Sequence, residues 1–547
     1  MNEAYFTKDQ ALEAFGVPDE KQVITPDQSN VVKTPINLEG YSFALDVWRF
    51  HYWESKDGTK NGINFDGLYY DGIFERLNQM GFYNRRPPGN IGSENNQNAF
   101  FIRDDNGIIE PVKISFILEC FRKHHIEPVQ DLMVEYKDTR VKFPAESLRE
   151  KFNLQFNNVF NEKTLRALPL HTMPILEDTK EASYFFFKNG IVKVTADGRS
   201  FSTFADLKTH CIWKSRLIKH PYHKPKESGG HWRRFIGNVS KVKSDLARGQ
   251  AFNSAIGYLL HNYNSSAMGQ AVICYDEKLA RKGSPEGGSG KGLFFQGIKQ
   301  LRDYATIDGK SFQEDDRFKW QQIYLQTQVV CIDDPKTTFR LETLFSALTE
   351  GWSIEYKNKD KIFIPPDDIP KVCITTNSAL SSDGSSNKRR QFIIEFSDHY
   401  SRQIVNGNET PIISEHERVF FSDNPNDGWT KEDWSQFFDY QLSCVEHYLK
   451  YGLITYEPKN VVQNQLLQST DEDFAEWIEQ QNFEIKAKYD KKTLFEDFTQ
   501  TYHGANSTLT QRKFTDWLKK WARLQGFEVE QPRSGKISYI RFTQRSK

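Results

Sequence analysis

Three short apolar runs constrain what this chain can fold into more than any other feature. "QAVICY" (Gln270–Tyr275), "QVVCID" (Gln328–Asp333) and "KVCITT" (Lys371–Thr376) are too short for helices, and each ends at polar or charged residues. Strands buried on both faces read this way, because crossover helices cover a parallel sheet on either side. Such a sheet gathers its chemistry at the carboxyl ends of its strands. The runs therefore predict an α/β core with a parallel sheet, and they direct attention to the residues just after each run.

After the first run comes "PEGGSGKG", in which Glu286, Gly287, Gly288, Ser289, Gly290, Lys291 and Gly292 lead into a helix with Phe294, Ile298 and Leu301 on one face. Glycines let consecutive backbone N–H groups turn inward, a helix N-terminus supplies positive potential, and a lysine reaches the β and γ phosphates. Two positions depart from G-x-x-x-x-G-K-[ST]: Pro285 replaces the first glycine and Gly292 replaces the hydroxyl residue. Without that hydroxyl, Mg2+ relies on Asp333, water and the phosphates. The second run ends at Asp333-Asp334, the first acid suited to organising Mg2+ and the second to acting as base on the attacking water. The third run leads to Asn377, where an amide can orient the lytic water or sense the γ-phosphate. The expectation is a working ATPase with ATP and Mg2+ as its cofactors.

Taken together, "PEGGSGKG", "VVCIDD", "GWSIEYKNKDKIFIPPDDIPKVCITTN" and "KRRQFIIEF" resemble the superfamily 3 helicases of viruses, phages and mobile elements. These are a compact AAA+ branch of the P-loop ATPases, and the likeness is greatest to the phage and poxvirus-type primase-helicases. It covers roughly residues 250–400. The resemblance implies an ATP-hydrolysing, ring-forming DNA helicase of phage or mobile-element replication, in the bacterial host cytoplasm. A homohexamer on single-stranded or forked DNA is expected, with a primase or other replication proteins as further partners.

In the third segment Gly351, Ile354, Lys357, Lys359, Lys361 and Pro370 reproduce the family's channel hairpin. The resemblance gives Lys357, Lys359 and Lys361 the grip on single-stranded DNA, with Asn358 between them. Closely spaced ammonium groups on a strand-turn-strand element also suit backbone tracking on physical grounds. Arg389 and Arg390 precede "QFIIEF", where a family arginine reaches the neighbouring subunit's ATP. Arg390 fits the spacing better.

A chain of 547 residues is too long for one ordinary core. The expected fold is multidomain α/β and α+β. It comprises a mixed N-terminal region (1–230), a helical lead-in (231–268), the AAA+ core with lid (269–460) and a C-terminal winged helix that binds DNA (466–547). In the N-terminal region, "NAFFIRDDNGIIEPV" and "SYFFFKNGIVKVTADG" read as hairpins turning at Asn106-Gly107 and Asn189-Gly190. "KISFILECFRKHH" has helical spacing. Lys219 to Arg234 read as a basic loop near a domain boundary, and its histidines match no common zinc module. In the lead-in, Leu246, Phe252, Ile256 and Leu260 are candidate core positions.

At the C-terminus, Thr510 is a candidate N-cap for a helix with Phe514, Trp517, Leu518, Trp521 and Leu524 on one face, followed by a two-stranded wing. From Thr510 to Lys547 there are ten basic and three acidic residues, a net of +7 in a chain of net charge −1. Arg512, Lys513, Lys519, Lys520 and Arg523 on the helix, with Arg533 and Lys536 at the wing, are the candidate phosphate contacts. The six cysteines have no paired spacing, which excludes a disulfide framework. No run of about 18 apolar residues occurs to cross a membrane. Two further readings stand: an ATP-binding initiator that switches without unwinding, and a bifunctional primase-helicase.

Overall fold

A computed structural model describes residues 41–56, 58–86, 100–264, 269–277, 288–336, 339–344, 347–348, 350–357, 361–376, 389–458, 460, 466, 470–503, 508–535 and 537–544. The chain is a mixed α/β protein. Its described residues divide into two compact units, one running to Leu176 and including Thr203–Ser215, the other holding Glu177–Ser202 and the chain from Arg216 onward.

The first unit is built from short strands. Tyr41–Leu45, Trp48–Glu54 and Asn61–Leu68 form an antiparallel sheet, and Phe82–Arg85, Phe100–Asp105, Ile108–Pro111 and Ile212–Trp213 form another. Helices Tyr70–Gln79, Ile114–Phe121 and Ala145–Val159 close a core that includes Phe50, Phe82, Phe121 and Phe152. Asp105 pairs with Ile108, so Asn106 and Gly107 are the turn residues, with φ of 54° and 86°. Both angles suit the two-residue hairpin turn the sequence predicts.

In the second unit the corresponding hairpin turns one residue earlier than expected. Phe187 pairs with Gly190, which leaves Lys188-Asn189 at the turn. Gly190 opens the next strand instead, at φ 150°, where a Cβ would lie 2.4 Å from the Ser202 carbonyl.

The centre of this unit is a five-stranded parallel sheet: β1 (Ala271–Asp276), β2 (Tyr304–Asp308), β3 (Val329–Asp333), β4 (Lys371–Thr376) and β5 (Gln391–Phe396), in the order β2-β3-β4-β1-β5. The three apolar runs are β1, β3 and β4. Their residues alternate between two buried layers. Val272, Cys274, Val329, Cys331 and Cys373 face a core shared with helices Gly230–Val239, Leu246–Leu260, Lys431–Tyr451 and α1 (Lys291–Lys299). Ile273, Val330, Ile332, Val372 and Ile374 face a second core with Trp320, Leu341 and Trp352. Each fully buried aliphatic side chain contributes about 1.5–3 kcal/mol, so a sheet covered on both sides is rigid.

Two expectations near this sheet need correction. Lys219 to Arg234 is not all loop, because helix Gly230–Val239 begins within it and buries Trp232, Phe235 and Ile236. Leu246 is not core: it opens its helix at 66% exposure, whereas Phe252, Ile256 and Leu260 are buried.

Residues 470–544 have a core of their own, formed by helices Glu472–Glu479, Lys491–Phe498 and Gln511–Leu524. Thr510 caps the last helix, its side chain accepting the Lys513 N–H at 3.3 Å. Phe514, Trp517 and Leu518 are buried, while Trp521 and Leu524 pack at the edge of this core. Phe527–Glu530 and Ile537–Gln544 pair antiparallel, and Lys488–Asp490 adds a further strand that the expected two-stranded wing lacked. Among the described residues no helix is long and apolar enough to cross a membrane.

Candidate functional site

The carboxyl ends of β1, β3 and β4 meet along one edge of the sheet. Tyr275 pairs with Thr376 across β1 and β4, and Asp333 pairs with Thr375 across β3 and β4. Since β4 lies between the other two, the tips of β1 and β3 are two strand spacings, about 10 Å, apart.

The end of the glycine loop enters this edge. Gly288 and Gly290 have φ of 80° and 101°, and a Cβ at Gly288 would lie 2.2 Å from Ile404, one at Gly290 2.8 Å from the Phe235 ring. Only glycine fits both the left-handed backbone and these close approaches. α1 starts at once with Lys291, directing its N-terminal N–H groups and positive dipole end at the loop. The Lys291 ammonium forms an ion pair with Asp276 at the tip of β1, with side-chain exposures of 11% and 14%. At Gly292 no atom lies within 4 Å of the position a Cβ would occupy, so the missing hydroxyl is not excluded by space.

Asp333 at the tip of β3 accepts a hydrogen bond from the Thr375 hydroxyl, and its backbone carbonyl accepts the Gly309 N–H at 2.7 Å. Asp334 leaves the strand with φ 48°, its N–H donating to the Thr375 carbonyl at 3.1 Å and lying 3.0 Å from Thr375 Oγ1. A non-glycine residue in that region costs on the order of 1 kcal/mol and marks a position held by its surroundings. The Asp334 carboxylate pairs with Lys310 at 2.9 Å and is 39% exposed. One threonine thus holds the Asp333 carboxylate and the Asp334 backbone.

Arg389 and Arg390 lie elsewhere. The Arg390 carbonyl accepts the N–H of Ala271, the first residue of β1, and the Arg389 carbonyl accepts from Gln270. Both arginines therefore stand at the amino end of the sheet, roughly 20 Å of strand from Lys291 of the same chain.

The hairpin before β4 pairs Trp352–Ile354 with Ile362–Ile364. Gly351 has φ 95° and would place a Cβ 2.6 Å from the Ile364 carbonyl. Ile354 and Pro370 are buried, while Lys357 and Lys361 are exposed, Lys361 lying 3.8 Å from Glu355. In the C-terminal region Arg512, Lys513, Lys520, Arg523 and Arg533 are exposed. Lys519 is half-buried and pairs with Asp516 at 3.0 Å. Glu286, Gly287, Asn358, Lys359, Asn377 and Lys536 lie outside the described residues.

No protein-family model and no curated protein sequence matches the chain. Among solved structures it is similar to an apo form of the NrS-1 C-terminal region, at TM-score 0.35 and 12% identity over 86% of this chain and 99% of that one. A shorter form of the same region, residues 305–718, gives 0.28 and 14% over 66% and 96%. Drosophila ORC bound to DNA gives 0.17 and 10% over 60% and 93%. At scores this low none of these likenesses fixes the fold or function of this chain.

Sequence reasoning missed Asp276 and Thr375. The rule that picked Asp333, an acid ending an apolar run, also applies to Asp276, one residue beyond "QAVICY". It missed too the ionic network around the amino end of the sheet. There Asp178 accepts from Arg302 at 2.9 Å, Ser183 at 2.6 Å, and the Asn262 and Tyr184 N–H groups, both at 2.7 Å. Burial opposes its ionisation, but Arg302 and His261 hold the carboxyl below the usual range. Beside it Lys371, 2% exposed, donates to the Tyr263 carbonyl at 2.7 Å and lies 4.4 Å above the Tyr258 ring. Burial pushes its ammonium down to about 7 against the pull of Asp178.

Proposed function

We propose that the chain is an ATP-dependent DNA helicase of the superfamily 3 AAA+ type that works as a ring, most simply a hexamer. One observation carries this reading: Lys291 at a glycine-loop helix start and Asp333 lie at one sheet edge, separated by a single strand. Magnesium, when bound with ATP, supplies Lewis-acid neutralisation of the charge that builds on the phosphates. Lys291 would exchange Asp276 for phosphate oxygens, the α1 N–H groups would cradle those oxygens, and Asp333, held by the Thr375 hydroxyl, would hold the cation. Asp334 takes the proton of the attacking water, with Asn377 positioning that water.

Because Arg390 and Arg389 stand at the far edge of their own sheet, only a neighbouring copy brings them to this nucleotide. That supports hydrolysis in trans. Lys357, Lys359 and Lys361 grip single-stranded DNA, and the C-terminal residues act as a winged helix whose exposed cations contact duplex phosphates.

A second reading, a nucleotide-binding switch without turnover, is favoured by Gly292, which withholds a hydroxyl ligand from the cation. Steady-state ATP turnover with and without single-stranded DNA separates the two. Turnover that rises with DNA and vanishes in Lys291→Ala supports the motor. Tight ATP binding without turnover supports the switch, and absence of ATP binding overturns both.

A further inference from the structure

We propose that Tyr324, stacked on Tyr356 beside the basic hairpin, is a stacking platform for a base of single-stranded DNA. The inference rests on the helicase reading but adds a mode of contact that phosphate-tracking lysines do not supply.

The segment before β3 packs its aromatic residues onto the hairpin in two steps. Trp320 stacks on Trp352 at 4.8 Å between centroids and 16° between planes, both rings being buried. Tyr324 stacks on Tyr356 at 5.9 Å and 20°. Here the burial stops, for Tyr324 is 50% exposed. At this separation the near-parallel rings are offset, and Tyr324, half exposed, keeps ring surface open on which a further ring can stack.

The platform is fixed in place. The Tyr324 N–H lies 3.1 Å from Thr327 Oγ1, its carbonyl accepts the Thr327 N–H at 3.0 Å, and the Tyr356 hydroxyl donates to the Ile323 carbonyl at 2.5 Å. With its backbone tied and the neighbouring Tyr356 ring anchored, Tyr324 needs little reorganisation when a ligand stacks on it.

The surrounding charge selects the ligand. Lys357 follows Tyr356 directly and is exposed, and Arg317 and Lys361 flank Glu355 at 3.7 and 3.8 Å. Two cations on one acid, with the exposed Lys357 next to Tyr356, favour a polyanion, and Phe363, 42% exposed on the hairpin, adds apolar surface. An exposed stacked tyrosine beside cations is the combination that sequence-tolerant single-strand binding uses, because every base has a π-face.

The test is equilibrium binding of a fluorescently labelled oligothymidine and of the same backbone carrying abasic sites. Tyr324→Ala should weaken oligothymidine binding about 5- to 100-fold, and Tyr324→Trp should restore it. The abasic strand should bind wild type as weakly as it binds Tyr324→Ala. Lys357→Ala should weaken both strands alike and reduce the salt dependence. If Tyr324→Ala binds like wild type, or wild type does not distinguish the two strands, while Lys357→Ala still weakens binding, the platform is overturned and the helicase reading survives. If wild type binds neither strand with or without ATP, both fall together.

Discussion

The two ends of the central sheet each carry a lysine beside an aspartate, and they behave as opposites. At the amino end, Lys371 and Asp178 are buried, at 2% and 3% exposure, and enclosed by Arg302, Ser183, Tyr263 and Tyr258. At the carboxyl end, Lys291 pairs with Asp276 next to a glycine loop, and Asp333 is exposed. A buried charge with a full set of fixed partners specifies structure. A lysine paired with a carboxylate beside a glycine loop stands where a ligand can exchange for that carboxylate. Partner geometry, more than the presence of an ion pair, separates scaffold from site.

The largest effect that tests this contrast is structural. Asp178→Ala leaves Arg302 buried without its counter-ion and should cost about 3–5 kcal/mol of stability, read from the denaturant midpoint. Lys291→Ala should do the reverse: ATP turnover falls about 100-fold or more, while the unfolding midpoint moves by less than about 1 kcal/mol equivalent. A Lys291→Ala variant that unfolds readily would show that this pair too is scaffold.

The pH dependence sharpens the contrast. Lys371 titrates near 7 in the folded protein but at about 10.4 when unfolded, so between these values the unfolded chain binds more protons. Burying it therefore carries a penalty that is full and constant below about pH 7 and is relieved as pH rises from about 7 to 10, so stability rises across that window. The stability difference between wild type and Lys371→Met should follow that window in denaturant titrations at pH 7 and 9. The smallest effect is expected at Gly292. Gly292→Ser fits without a clash, should stabilise α1 by about 0.5 kcal/mol, and should raise turnover several-fold at limiting magnesium.

Much of the sheet was legible in the sequence because it depends on local pattern. β1, β3 and β4 follow the three apolar runs to within a residue, and the helix after the glycine loop starts at Lys291. Where the reading failed, the deciding contacts were distant. Gly190 opens a strand because Ser202 approaches it, which displaced the expected turn. Leu246 has helical spacing but lies at an exposed first turn. The Asp178–Arg302 pair joins residues 124 positions apart, a separation that no periodicity reports. Asp276 could have been found, since it ends its run as Asp333 does.

The central claim is that Lys291 and Asp333 serve one magnesium nucleotide, and a double-mutant cycle on ATP turnover measures it most directly. If both act on the same triphosphate, Lys291→Ala and Asp333→Ala each abolish most of the rate, and the double variant is little worse than either alone. Fully additive losses, or an Asp333→Ala variant with wild-type turnover and magnesium dependence, would contradict it.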